Sequence, residues 1–321
     1  MKTLLTSIAL AVLLAPSLAA GQAYPAKAIR VVVPFAPGGT SDIIGRTLGQ
    51  RLSEAWKQPV IMDNRAGVAG SLGAAIAAKS PPDGYTLLVG NVGPIAINGM
   101  IYKSVGYDSL KDFTPITLAV TAPQIVVVHP SVPAKTFKEF NALVRRQKGN
   151  ITFGSSGPGS ISHLSGELYK RMTKTDMLHV PFKASAFITT ALLGGEIDVV
   201  FSDMAVVLPH VQAGRLRALA VTGPKPTPLV PGLPTVTESG VPGFVMTSWW
   251  GMFGPAGVPQ PIVTQINTEL TRILRSPDVQ KTFATLGVDA ATSTPEELGA
   301  LVKSEVPKYA KLIQEIGIEK Q

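Results

Sequence analysis

The chain has 321 residues, no cysteine and a formal net charge of +8, with hydrophobic residues at 45%. Without cysteine there are no disulfides, thiolate nucleophiles or cysteine-ligated metals. The basic residues are scattered, with no dense run beyond RRQK at 145 to 148, which argues against a nucleic-acid surface and for a mild field that draws small anions.

The chain opens with one lysine, an apolar run and small residues, MKTLLTSIALAVLLAPSLAAGQAYP, the pattern of a secretory signal peptide. Cleavage is expected between Ala19 and Tyr24, with Ala23 the last residue removed, giving a signal over 1 to 23. No cysteine follows to carry a lipid, and the run is shorter than the about 20 residues of a membrane span. An exported chain without disulfides is expected in a bacterial periplasm, where it depends on its core.

From Ile29 onward, apolar strands alternate with helical patterns. IRVVV is a strand, 42 to 55 a helix, 59 to 63 a strand, 70 to 79 a small-residue helix and 85 to 90 a strand. Strands that are apolar throughout and separated by helices predict an α/β lobe with a parallel sheet covered on both faces. After an irregular segment at 91 to 112, PITLAVTAPQIVVVHP gives two extended pieces broken at Ala122 and Pro123. The helix at 136 to 147 and the strand ITFG at 151 to 154 restart the pattern. Further extended pieces at 177 to 182, 196 to 202 and 216 to 222 complete a second α/β lobe.

Five prolines between 224 and 234 then predict a stiff strap back to the first lobe, which the helices at 259 to 275, 277 to 285 and 296 to 314 complete. The expected domains are therefore 24 to 124 as the first part of lobe 1, 125 to 222 as lobe 2, and 223 to 321 as the strap and the rest of lobe 1. Two lobes joined by crossing strands imply a cleft and a hinge.

The first strand of each lobe runs into a glycine turn and a helix start. In PFAPGGTSD, Gly38 and Gly39 permit a tight turn, and Thr40, Ser41 or Asp42 can cap the helix that follows. In ITFGSSGPGSISHLSGELY, Ser160 or Ser162 can cap the second helix. Free amides and the helix dipole make each start a place for an anion, needing no cationic side chain. Two such starts suit a cleft that clamps an acidic ligand.

Nucleotide motifs fail: the third glycine of the dinucleotide fingerprint is missing, and Ser160 and Ile161 stand where a P-loop needs Lys and Ser or Thr. No metal spacing surrounds His129, His163, His179 or His210, no GxSxG elbow occurs, and no cofactor is expected. His163 either donates to a bound carboxylate or packs beneath its loop, and His179 reads as a strand residue at a lobe surface. Asp203 and Asn91 end strands, so each either serves the local backbone or meets a ligand. Of Trp249 and Trp250, one is expected in the core and the other as a possible wall of the cleft.

These segments together resemble the substrate-binding receptors of tripartite tricarboxylate transporters, the Bug family. The resemblance rests on YPAKAIRVVVPFAPGGTSD, NRAGVAGSLGA, PPDGYTLLVG, FGSSGPGSISHLSGELY, ALLGGEID, RLRALAVTG, LPTVTESGVPGF and WWGMFGPAGVP, and covers essentially the whole mature chain. It implies a two-lobed periplasmic binding protein fold of type 2, a Venus-flytrap closing on a small carboxylate held between the two loops. Carried over by position, the resemblance points to Phe35, Gly39, Thr40 and Asp42 from the first loop and Ser155, Ser156, Gly157, Ser160 and His163 from the second. Asn91, Ala186 and Asp203 match positions near the rest of the pocket. It also implies a large and a small integral-membrane subunit as partners, and the default oligomeric state is a monomer.

One departure concerns the far side of the pocket: where the family commonly reads YKGSAPA, this chain has FKASAFI at 182 to 188. The ligand is left open among dicarboxylates, tricarboxylates, amino acids and aromatic acids. A periplasmic sensor feeding a signalling system, or an exported α/β enzyme acting on an anion, are the alternative functions.

Overall fold

A computed structural model describes residues 24 to 183 and 185 to 320. The expected signal peptide lies outside the described residues.

The first sheet is built around β1 (Ile29–Val33), which pairs in parallel with β2 (Val60–Asn64) and β3 (Thr86–Asn91). Helix α1 (Thr40–Trp56) and helix α2 (Ser71–Ala78) make the crossovers. Helix α1 buries Ile44, Leu48 and Leu52 against this sheet, the stripe that its helical spacing predicts. The segment expected to be irregular after β3 is so only from 102 to 112; its first part is a π-turn at Gly93–Ile97 leading into a short helix, α3 (Asn98–Ile101).

The two extended pieces expected around Pro123 are one strand, β4 (Phe113–Val128). Its first part, through Pro123, pairs antiparallel with β9 (Thr247–Pro255), which lies between β3 and β4. From Gln124 onward the same strand pairs antiparallel with β7 (Val199–Asp203) and β8 (Arg217–Val221) in a second sheet. There β5 (Thr152–Ser155) pairs in parallel with β6 (Leu178–Pro181) and β7. The break expected at Ala122 and Pro123 is thus a change of partners within a continuous strand. Proline, which cannot donate to a ladder, stands where one sheet gives way to the other.

Helices α4 (Phe137–Gln147), α5 (Ile161–Thr173), α6 (Ser185–Leu193) and α7 (Met204–Gln212) cover the second sheet. The proline-rich strap runs beside β8, with Val236 donating its amide to Val221, before Thr247 pairs with Pro123. Thr222 ties the two crossings together: its hydroxyl accepts from the Gln124 amide at 2.8 Å and donates to the Met246 carbonyl at 2.5 Å.

The tail returns as α8 (Gln260–Leu274), α9 (Pro277–Thr285) and α10 (Pro295–Ile316). Residues Ile266, Leu270 and Phe283 join the core of the first sheet, as their apolar spacing predicts. Helix α10 departs from that expectation, because it touches α5 of the second lobe as well as β4. Its Leu298, Val302 and Tyr309 belong to a core that also contains Phe140, Phe153 and Phe201.

Candidate functional site

The helix starts of the two lobes face one small cavity of about 30 Å³, lined by Phe35, Gly39, Thr40, Asn91, Ser156, Ser160 and Asp203 among others. This is room for little more than a water or two. No basic side chain lines it among the described residues.

The first loop reaches the cavity by a route different from the simple capping expected. Gly38 adopts φ 81°, a left-handed conformation that a side chain would resist, and Gly39 is the N-cap of α1. None of Thr40, Ser41 and Asp42 makes a side-chain cap. Asp42 turns away from the cavity: its carboxylate accepts from the Gly38 amide at 3.0 Å, Arg46 Nε at 2.9 Å and Asn64 Nδ2 at 2.9 Å. Burial alone would raise the pKa of Asp42, but these hydrogen bonds and the Arg46 charge outweigh it and hold the carboxyl below its ordinary value. Asp42 therefore fixes the loop and does not line the cavity.

Because its folded pKa is depressed, the stability that Asp42 contributes is present above the ordinary carboxylate range and is lost as pH falls through the folded value. Asp42→Ala is expected to cost about 2 kcal/mol at neutral pH, since it removes hydrogen bonds from Gly38, Arg46 and Asn64 to one charged acceptor. In urea melts the variant should also lose part of the wild type's acid sensitivity.

Ser41, expected only as a cap, lines the cavity, and the indole of Trp250 donates to its hydroxyl at 3.1 Å. Trp249 donates to Glu305 at 3.2 Å, so both tryptophans are buried in the core and neither lines the cavity.

The second loop is held by its own hydroxyls. Ser160 caps α5 by accepting from the His163 amide at 3.3 Å, and it donates to the Gly157 carbonyl at 2.7 Å. Ser162, the alternative cap, accepts the Ser156 amide at 3.2 Å. Ser155 is fully buried, pairs with His179 Nε2 and accepts the Gly157 amide at 3.1 Å. His163 packs beneath the loop, its Nδ1 accepting from the Gly159 amide at 3.4 Å and its ring 4.3 Å from that of His179. Burial, then the neighbouring His179 and Lys170, lowers the pKa of His163 to about 3, so the ring is neutral. His179 is likewise lowered to about 4 by burial and Lys170, so it is part of this scaffold and not a bare surface residue. Of the second loop's candidates, Ser156 and Ser160 reach the cavity; Ser155, Gly157 and His163 support them from behind or from the rim.

At the floor, Asn91 ends β3 and Asp203 ends β7. Asp203 occupies the N-cap position of α7 but makes no side-chain cap; it accepts from Ser248 Oγ at 3.1 Å, with Thr40 nearby. Burial pushes its carboxyl up to about 6 against the lowering effects of those two hydroxyls. Asn91 Oδ1 is buried with no hydrogen-bond partner, while the Thr40 hydroxyl lies beside the Asp203 carboxyl without reaching ordinary hydrogen-bond geometry. Both residues line the cavity, so a bound molecule would find the Asn91 amide oxygen as an unused acceptor and the Thr40 hydroxyl beside Asp203. Nothing is described of the Ala186 side chain.

Sequence reasoning missed Gln124 and Ser202, which also line the cavity. Gln124 is fully buried, donates to the Phe201 carbonyl at 3.1 Å and accepts from Ser165. A glutamine directly before the apolar run IVVV of β4 is the available signal.

Three solved structures are similar over nearly the whole chain. "R. palustris Rpa4515 with adipate" is 34% identical with a TM-score of 0.91, covering 93% of this chain and 100% of that one. The periplasmic binding protein BugD is 32% identical with a TM-score of 0.88, covering 93% and 100%. MatC from Rhodopseudomonas palustris with bound malate is 31% identical with a TM-score of 0.86, covering 90% and 100%. These proteins share the two-lobed α/β architecture expected from the sequence. The sequence model of the tripartite tricarboxylate transporter family receptor matches residues 44 to 318. The chain belongs to that receptor family.

Proposed function

We propose that this protein is a periplasmic substrate-binding receptor that captures a small organic carboxylate and hands it to a transporter with a large and a small integral-membrane subunit. Catalysis has no part in this reading. The observation that carries it is the cavity where the helix starts of two lobes converge, lined by the hydroxyls of Thr40, Ser156 and Ser160. Adipate in Rpa4515 and malate in MatC support the choice of a carboxylate.

The lobes are 24 to 124 with the tail, and 125 to 222, flexing where β4 changes sheets. A cavity of about 30 Å³ admits the head of an acid but no whole dicarboxylate, so the lobes part for entry and close on the ligand. Free amides at the start of α1, the hydroxyls of Thr40, Ser156 and Ser160, and the dipoles of both helices hold the carboxylate. Excluding water as the lobes close strengthens each of these bonds.

The test is a thermal-shift screen of the processed protein against small carboxylates and their amides. A ligand at a hundred times its Kd adds about 2.7 kcal/mol of stability, a shift of several degrees. An acid should stabilise where its amide does not. Equal stabilisation by both, or none across the panel with ligand-free protein, would remove the carboxylate reading.

A further inference from the structure

Beside the small cavity, and meeting it at Ser156, lies an outer groove of about 930 Å³. One wall is the loop before α2, the other the start of α6 and the end of β6. The loop is strained: four successive residues have positive φ, Gly67 at 152°, Val68 at 47°, Ala69 at 49° and Gly70 at 94°. For a β-branched residue such as Val68 this is a genuine outlier, of the kind that persists where surrounding structure enforces it. Asn98 supplies that enforcement, donating to the Ala69 carbonyl at 3.0 Å and to Ser71 Oγ at 2.8 Å.

The enforced turn leaves Val68 52% exposed in the groove. Across from it Phe187 is 50% exposed, and Phe182 and Ala191 share that wall. The loops approach closely over the cavity, since a methyl added at Gly157 would stand 3.8 Å from that of Ala69. The groove's one basic and one acidic residue, Lys183 and Glu196, are both exposed, and the Tyr102 hydroxyl is engaged with the Pro158 carbonyl.

We infer that the ligand is a monocarboxylate with an apolar body, aromatic or branched alkyl, its head in the inner cavity and its body against Val68 and Phe187. This deepens the receptor reading and rests on it. The inner cavity is too small for a second carboxylate, and among the described residues the groove beside it is lined mainly by apolar side chains such as Val68, Phe182 and Phe187. A second carboxylate there would meet mainly apolar side chains, with exposed Lys183 as the groove's basic residue, whereas an apolar body gains by covering Val68 and Phe187.

The test is calorimetric titration of the processed, ligand-free protein with benzoate, phenylacetate, 4-methylpentanoate, adipate, malate and phenylacetamide. The monocarboxylates are expected to bind at least tenfold more tightly than either dicarboxylate, and the amide not to bind. Val68→Gly, which relieves the backbone while removing the side chain, and Phe187→Gln should each weaken monocarboxylate binding by about tenfold, the scale of an apolar group withdrawn from a pocket. Their melting temperatures should not fall. Tighter binding of the dicarboxylates, or unchanged monocarboxylate affinity in both variants, overturns this inference and leaves the receptor reading intact. Absence of binding by every acid overturns both.

Discussion

Gly39→Leu should abolish ligand binding, with a loss of more than a hundredfold in affinity, while the protein stays folded. Gly39 lines the inner cavity, and its backbone φ of −83° suits any residue. A Cβ added there meets only the Ala36 carbonyl oxygen at 3.6 Å, an ordinary contact. The fold therefore tolerates a side chain, but a cavity of about 30 Å³ does not. Exchanging a glycine N-cap for an apolar residue costs at most about 1 kcal/mol. Titration beside a thermal melt separates the two effects, and a variant that still bound its acid normally would move the head site away from the start of α1. Gly159→Leu is not an equivalent test, since Gly159 has φ 83° and an added Cβ would come within 2.9 Å of Asn98 Oδ1.

Carboxylate affinity should fall steeply as pH rises above 6, and Asp203→Asn should flatten that dependence. Burial pushes the Asp203 carboxyl up to about 6, and no basic side chain lines the cavity to offset its charge. Below that pH the group is protonated and can donate to a ligand carboxylate; above it, an ionised Asp203 repels one. Binding an anion beside it raises its pKa further, so binding takes up a proton, and affinity drops by up to about tenfold per pH unit above 6.

Stability follows the same sign. A carboxyl whose folded pKa lies above its unfolded one stabilises the fold fully below the unfolded value, and that contribution is lost as pH rises through the folded value. The window is therefore from about 4 to about 6, with a loss on the order of 2 to 3 kcal/mol. At pH 8 Asp203→Asn is expected to melt higher than wild type and to bind acid at least tenfold more tightly. If affinity is flat with pH in the wild type, the ligand's charged head does not sit beside Asp203.

The elements of this fold were legible where periodicity and burial agree. IRVVV and YTLLVG are mostly apolar because helices cover both faces of their sheet, and α1 shows its stripe at Ile44, Leu48 and Leu52. Pro123 misled: a proline inside an apolar run normally marks a break, yet here it sits where β4 exchanges one sheet for another. The placement of β9 between β3 and β4 depends on pairings more than a hundred residues apart in sequence, which no local pattern carries.

At the site, the two helix starts were legible because glycine turns followed by hydroxyl residues have few other uses. Which hydroxyl does what was not. Asp42, Ser155 and His163 have the chemistry of ligand contacts, but the loops consume them: Asp42 on the Gly38 amide, Ser155 on the Gly157 amide and His163 on the Gly159 amide. Ser41 and Gln124 reach the cavity because Trp250 and Ser165, distant in sequence, turn them there. The departure at 182 to 188 was visible as an unusual residue, Phe187, without its setting; opposite it stands Val68, whose backbone angle no sequence pattern announces.

Strand β4 belongs to both sheets, with β9 beside its first part and β7 and β8 beside its second. Severed after Pro123, each half would expose a raw sheet edge to solvent and lose the core that α10 builds across the junction. The two sheets are thus joined by a shared strand and a shared core, so neither can lose its packing without exposing the other's. A fault in either lobe is therefore expected to lower the melting point of both.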